Sequence, residues 1–387
     1  MQYLERITKE DKASWYRLGG DHETKGLHRW VVSTPQSRDI CNRPELLGVD
    51  YSRSLEAGVR AAIETAPFRA SLEAVNQTRL CIMNFLRGSL NFGIREALKD
   101  ALGTNRHVTC FMSSQRYRQD GRWHVKEDMY RKMDIPQGAV LIVGDVVATG
   151  VTVSNGFEVI SEHLQKHDLQ PSGIIFFTIG CHKAEKALLA FHERHSGARP
   201  DYLGTHVVYL EGKFSLVNSH TPLHIALPGT DLVKLDALLT PEFELSLYDA
   251  VPHILERCVI YDAGSRAFDV PEYVEDVLHY WEQVRRLAKR GFTLREAMRE
   301  RWPEHDHENL RTLREARKAR WRGVPEETVD LLHENYLKRW TDVFDGWSRT
   351  PEALAQCAEE RIEVLVGSME PMQKDGGEKD GGDGGAA

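Results

Sequence analysis

Ala139-Val-Leu-Ile-Val-Gly-Asp-Val-Val-Ala-Thr-Gly-Val-Thr152 joins a continuous aliphatic run to one acid and a turn of small residues. The unbroken apolar character of Val140 to Val143 is that of a strand covered on both faces, as in a parallel sheet. The pattern predicts a helix over Val151–Lys166 after the turn. The backbone N–H groups of Ala148 to Thr152 then lie at its positive end, where a dianionic phosphate can be held. Thr149 and Thr152 add hydroxyl donors, so Val146, Val147, Ala148, Thr149, Gly150, Val151 and Thr152 form a candidate phosphate cradle. Asp145, at the strand's carboxyl end, is placed to accept hydrogen bonds from sugar hydroxyls beside that phosphate, where open α/β sheets put their ligands. The same residues also suit an ordinary strand–turn–helix that holds nothing. Two other phosphate loops are excluded: the Gly-Lys-Ser/Thr of a Walker loop is absent, and a Rossmann turn needs a glycine triplet where this turn has only Gly150.

Outward from this run, apolar stretches at Leu80–Phe85, Val108–Met112, Ile174–Ile179 and Val207–Leu210 alternate with helix-like segments at Asn91–Leu102 and Lys183–His195. That alternation predicts a parallel α/β sheet. Thr240-Pro241 marks a boundary, beyond which long amphipathic helices are expected. Val274, Val277, Trp281, Val284 and Ala288 form one stripe, with Asp269 a candidate N-cap and Gly291 a candidate C′ residue. Five of the eight tryptophans (Trp281, Trp302, Trp321, Trp340 and Trp347) fall in this part and read as a small helical core. The expected division is an α/β unit over 1–240, a helical unit over 241–366, and a Gly/Asp-rich tail over 367–387 too poor in apolar side chains to order.

The chain's 387 residues suffice for two domains, and its net charge of −8 argues against a protein that coats nucleic acid. Six cysteines are spread without a C-x-x-C pair and read as reduced thiols in the cytoplasm. The first dozen residues are too polar for a signal peptide, and no run has the length of a membrane span.

The 139–152 stretch resembles the fingerprint of the type I phosphoribosyltransferases: an apolar strand, two adjacent acids, two apolar residues, then Ala-Thr-Gly-x-Thr or Ser. Gly144 stands where the family's first acid belongs, leaving Asp145 alone. Leu86-Arg87-Gly88, before Ser89, is similar to the Leu-Arg-Ala-Gly pyrophosphate loop of the uracil phosphoribosyltransferases. Tyr117-Arg118 and Tyr130-Arg131-Lys132-Met133 resemble that group's flap, in the same order. Leu223-His-Ile-Ala-Leu-Pro-Gly-Thr-Asp231 resembles its base-recognition segment at Ile225, Pro228, Gly229 and Asp231 only, and Leu232-Val-Lys-Leu235 replaces the usual continuation. The resemblance covers about residues 40 to 235 and implies a parallel-sheet type I phosphoribosyltransferase fold followed by a smaller all-helical domain. It implies transfer of ribose 5-phosphate from phosphoribosyl pyrophosphate to a nucleobase, uracil or a relative, with release of pyrophosphate. It further implies catalytic roles for Asp145, Arg118 and Lys132, magnesium held mainly through the donor, and a homodimer.

A rival reading is a regulatory protein that binds the donor or a nucleotide without turnover and signals through the helical extension. A third reads Arg311, Arg314, Arg317, Arg320, Arg322, Lys318 and Trp321 as a phosphate-facing surface, against which nearby Glu304, Glu308 and Glu315 suggest a solvated, ion-paired face. Cys181-His182 and His107 lack partners at ligand spacing. His305 and His307, two apart, point away from each other on a helix.

Overall fold

The quoted run is a strand, and it lies in the middle of a large sheet. The computed structural model describes residues 2–20, 24–119, 122–197, 201–226, 231–257, 263–301, 310–344 and 349–369. The chain opens with β1 (Tyr3–Lys9), β2 (Ser14–Gly19) and β3 (Leu27–Ser33), then α1 (Pro35–Asn42), α2 (Gly48–Thr65) and α3 (Arg69–Glu73). Next come β4 (Leu80–Leu86), α4 (Ile94–Leu102), β5 (Val108–Gln119) and β6 (Arg122–Lys132). They are followed by β7 (Val140–Val147), α5 (Val151–Lys166), β8 (Gly173–Cys181), α6 (His182–His195), β9 (Thr205–Leu216) and β10 (Leu232–Leu239). The rest comprises α7 (Pro241–Ser246), α8 (Val251–Leu255), α9 (Ala263–Phe268), α10 (Val270–Lys289), α11 (Leu294–Arg301), α12 (Leu310–Arg320), β11 (Trp321–Arg322), α13 (Glu326–Phe344) and α14 (Pro351–Gly367).

The result is a mixed α/β structure with one mostly parallel sheet. Its strand order is β11-β1-β2-β3-β9-β8-β7-β4-β5-β6, with β10 also paired to β9. From β3 across to β5 every neighbouring pair is parallel. β7 and β8 are buried almost throughout, which is why both read as continuous apolar runs. From β4 the chain steps outward to β5, whereas the next parallel strand, β7, lies on β4's other side. The strand order therefore reverses between β4 and β7, the switch point at whose carboxyl ends an open α/β sheet carries its ligand crevice. On α5, Phe157 packs edge-on against Phe85 of β4 and Phe176 of β8. Burying such a ring stabilises by about 1.5–3 kcal/mol. A Cβ at Gly156 would lie 2.4 Å from the Phe85 ring, so the glycine lets α5 sit close on the strand.

The strands β1 to β3 and β10 add to those expected. Edge strands are half-exposed, so β1 (Tyr-Leu-Glu-Arg-Ile-Thr-Lys) carries no continuous apolar run. Leu232–Leu235 belongs to β10, antiparallel to β9. Past Pro241 the described chain is helical except for β11, which pairs with β1, and Trp321 Nε1 donates to the Leu239 carbonyl at 3.0 Å. Trp281 is buried among the helices as expected, whereas Trp321 is buried in β11 against the sheet; Trp302, Trp347 and the side chain of Trp340 lie outside the described residues, as does the tail from 370. The helices share a hydrophobic core with the sheet. Buried Arg266 of α9 donates to the carbonyls of Leu46 and Ile40 at 2.8 and 3.1 Å and stacks over Tyr51 at 4.5 Å, fixing the later helices to the end of α1. Among the described residues, no helix is long and apolar enough to cross a membrane.

Glu211 joins four elements. It is fully buried in a bulge of β9, with a left-handed φ of 65°. Its carboxylate accepts from Ser33 Oγ at 2.6 Å, Thr34 N at 2.9 Å, Thr240 Oγ1 at 3.2 Å, and Ser37 Oγ. Burial pushes its pKa up to about 7 against the pull of Arg38 and these donors. A carboxyl whose folded pKa exceeds its unfolded one contributes stability at low pH and loses it as pH rises through the folded pKa. Burial also raises Glu256, beside Arg361, to about 7. Each such group is therefore expected to withdraw on the order of 3 kcal/mol of unfolding free energy between pH 5 and 8, while buried His206, its pKa lowered to about 3 by burial, works in the opposite direction below pH 6.5. Urea titrations across that range should show Glu211→Gln gaining stability relative to the wild type as pH rises, and a constant difference would contradict the assignment.

Candidate functional site

The two loops that the sequence singles out follow the carboxyl ends of β4 and β7 and meet at the switch point. After β4 the Leu86–Arg87 peptide is cis, and the chain turns through a short 3-10 helix at Gly88–Phe92. Ser89 is buried there, its Oγ accepting from Phe85 N at 2.9 Å. It fastens the turn to the strand that precedes it. Gly88 lies against the acid: a Cβ built on it would stand 3.0 Å from Asp145 Oδ1. Asp145 is 7% exposed, and its Oδ1 accepts from Val146 N at 2.9 Å, which orients the carboxylate at the strand end.

Gly144 has a packing cause. A Cβ there would come within 2.5–2.7 Å of Phe92, which is fully buried. The ring of the turn after β4 thus occupies the space a side chain at 144 would need, and any acid at that position would displace it.

After β7, Gly150 is the N-cap of α5 with φ 76°, in the left-handed region that favours glycine. The first helical bond runs from Ser154 N to Gly150 O at 2.8 Å, and no side chain caps the helix except for a long 3.4 Å contact from Val151 N to Thr149 Oγ1. The first-turn amides of such an end are available to an anion. Over this turn lies Lys183, whose Cβ would be 2.9 Å from a Cβ at Gly150. Sequence reasoning missed it, although it directly follows Cys181-His182 at the end of the next strand. Cys181 itself is buried, its Sγ donating to the Ala148 carbonyl at 3.2 Å, and burial raises its pKa. It braces the cradle and is poorly suited to act as a nucleophile.

The other candidates are spread more widely. Arg87 is paired with Asp269, at the start of α10, and lies 5.9 Å over the Phe268 ring. The backbone of Arg118 is opposite Trp123 in the β5–β6 hairpin, but its side chain lies outside the described residues. β5 runs past the end of β4, where Leu86 pairs with Ser113, so the hairpin projects beyond the crevice edge of the sheet. Lys132 is opposite Phe111 in the edge strand, three strands from β7 and so about 14 Å away. The Ile225 carbonyl accepts from Arg301 at 3.0 Å, and Asp231 is buried in an ion pair with Arg257. Pro228 and Gly229 lie outside the described residues, as do His305 and His307. In the basic cluster, Arg314 pairs with Glu326 and Asp330, Lys318 with Glu326, and Arg317 with Glu244 at 3.1 Å. No three His, Cys, Asp or Glu side chains among the described residues converge as metal ligands.

No family model matches the sequence, and no curated protein matches it. Among solved structures, the AQ2163 protein of Aquifex aeolicus overlaps with a TM-score of 0.33 at 13% identity, covering 48% of this chain and 89% of that one. A hypoxanthine-guanine phosphoribosyltransferase from Bacillus anthracis overlaps with a TM-score of 0.22 at 18% identity, covering 33% of this chain and 67% of the other. A hypothetical protein from Neisseria gonorrhoeae with bound ppGpp gives 0.24 at 13% identity, covering 40% and 82%. Overlaps this loose assign neither fold family nor chemistry.

The packing at Gly144 predicts that Gly144→Asp destabilises the protein by about 1–3 kcal/mol, the usual penalty of overpacking. A compensating Phe92→Ala change should make the aspartate cheaper to accommodate, so a double-mutant cycle by chemical denaturation should give a favourable coupling. Strict additivity would show that the ring does not limit residue 144.

Proposed function

We propose that the chain binds phosphoribosyl pyrophosphate in the β4–β7 crevice as a type I phosphoribosyltransferase and transfers its ribose 5-phosphate to a nucleobase. The observation that carries this reading is the meeting of two loops at the switch point: Gly88 against the Asp145 carboxylate, and the open amides of α5 just beyond it. A sugar phosphate needs both an anion cradle and a hydroxyl acceptor, and this arrangement offers them side by side.

In the proposed mechanism the amides from Ala148 to Thr152 hold the 5-phosphate, and Asp145 orients the ribose hydroxyls. Backbone groups of Leu86 to Ser89, with Arg87, receive the pyrophosphate as it departs. Little acid–base chemistry is required of the protein, so rate enhancement comes from positioning and from donors aimed at the leaving group. The hairpin bearing Arg118 projects over this edge and would exclude water on closing. With no ligand cluster among the described residues, magnesium would be held mainly by donor oxygens and water, and Asp145 is the residue that would supply a carboxylate to it. The ion would neutralise charge on the pyrophosphate.

Two observations favour a second reading, in which the chain binds the donor or a nucleotide without turnover. Phe92 excludes a second acid at 144, and Asp269 of the helical part already occupies Arg87.

Isothermal titration with magnesium and phosphoribosyl pyrophosphate tests both. Asp145→Asn and Thr149→Ala should each weaken binding, by about tenfold or more if a charged hydrogen bond is lost. Pyrophosphate release with one base of a panel would establish transfer, and binding without release would select the second reading. Absence of binding by the wild type would end the proposal. Asp269→Asn, which frees Arg87, should tighten donor binding by a few-fold, on the scale of an exposed ion pair. Unchanged or weaker affinity would mean that Arg87 does not serve the ligand.

A further inference from the structure

On the helical face beside the phosphate turn, a cavity of 310 Å³ lies between α5 and α6. Helix pairs ordinarily fill such a groove with large apolar side chains. Here the facing positions are small or polar: Ser154 and Ser161 on α5, Ala187 and Ala190 on α6. Three cations, Lys183, Lys186 and Arg194, line it together with one acid, Glu158. Glu158 is taken by Arg194 at 2.7 Å, and the nearby Glu185 faces away to Arg29 and Lys213 at 3.6 and 3.5 Å. Neither Lys183 nor Lys186 has an ion-pair partner among the described residues.

The placement of these lysines concentrates positive charge. Both lie in the first turns of α6, at its positive end, close to the positive end of α5 at Gly150. Two lysines beside two helix N-termini raise the local potential, which favours an anion seated in the groove. Phe157 and Phe191 contribute an apolar floor, so the groove offers a phosphate end and an apolar side. Its volume is in the range of small-molecule sites.

We propose that this groove is a second ligand site, distinct from the Asp145 crevice, that binds a small organic phosphate of the nucleotide class. Lys183 and Lys186 hold its phosphates, and its base lies along the Phe157–Phe191 floor. Because Lys183 and Thr149 belong both to this groove and to the phosphate turn, occupancy here bears directly on the cradle.

The test is isothermal titration of the full chain with GDP, and separately with inorganic pyrophosphate, each with and without saturating magnesium and phosphoribosyl pyrophosphate. GDP should bind one to one under both conditions. Lys186→Glu, which inverts an exposed charge, and Ala190→Trp, which fills the groove, should each weaken it by about tenfold or more. Asp145→Asn should leave GDP affinity unchanged, which separates this site from the crevice and allows either to fail alone. Pyrophosphate competing with GDP and sharing its sensitivity to Lys186→Glu would locate the phosphate end. The proposal is overturned if GDP does not bind below about 1 mM. It is also overturned if binding is lost in Asp145→Asn but kept in both groove variants.

Discussion

Everything at the crevice depends on one close approach, that of the Phe92 ring to Gly144. The turn after β4 folds back so that its aromatic side chain rests on the end of β7, at a distance no side chain on residue 144 would allow. That contact brings Gly88 against Asp145 and holds the loop after β4 beside the cradle after β7. Ser89, bonded to Phe85 N, completes the fastening. The single carboxylate of the crevice is thus a consequence of packing: in an interior as dense as a protein's, ring and acid cannot share the space.

Charge is distributed around this contact in a definite pattern. Cations without acidic partners among the described residues gather on the helical face, at Lys183 and Lys186, where two helix N-termini converge. The cation of the loop after β4, Arg87, is instead held by Asp269, so the start of α10 touches the rim of the crevice. An exposed pair of this kind is worth at most about 1 kcal/mol, so it restrains Arg87 without locking it. Acids that are wholly buried serve the framework. Glu211 collects donors from β3, α1 and α7, and Glu256 faces Arg361 of α14. The later helices are therefore tied to the sheet by polar contacts as well as by the shared core.

The core of the parallel sheet was legible in the sequence. β4, β7 and β8 are covered on both faces, so burial imposes apolar residues at every position, and such runs need no tertiary knowledge to read. The helix α5 was legible at both ends, since Gly150 must adopt a left-handed conformation at its start and an apolar stripe runs to Lys166. The strand β1 was not, because a half-exposed strand beside the edge of a sheet is allowed charges such as Glu5, Arg6 and Lys9, and in β2 and β3 the apolar residues are interrupted by Arg17 and Arg29. Of the site, Asp145 and the turn after it were readable from local chemistry. Lys132 and Asp231 carried the right residue types, but the fold puts one in an edge strand and the other in a buried ion pair.

The sequence by itself determined the parallel strand–turn–helix units, the acid at the end of β7 and the anion-ready start of α5. These follow from local burial periodicity and from the backbone groups that every helix N-terminus leaves open. Only the tertiary structure decided why residue 144 is glycine, where Arg87 is held, and that Lys183 lies over the phosphate turn. Each of those depends on residues 33 to 182 positions apart, brought together by strand order and helix packing, and no local pattern encodes such distances.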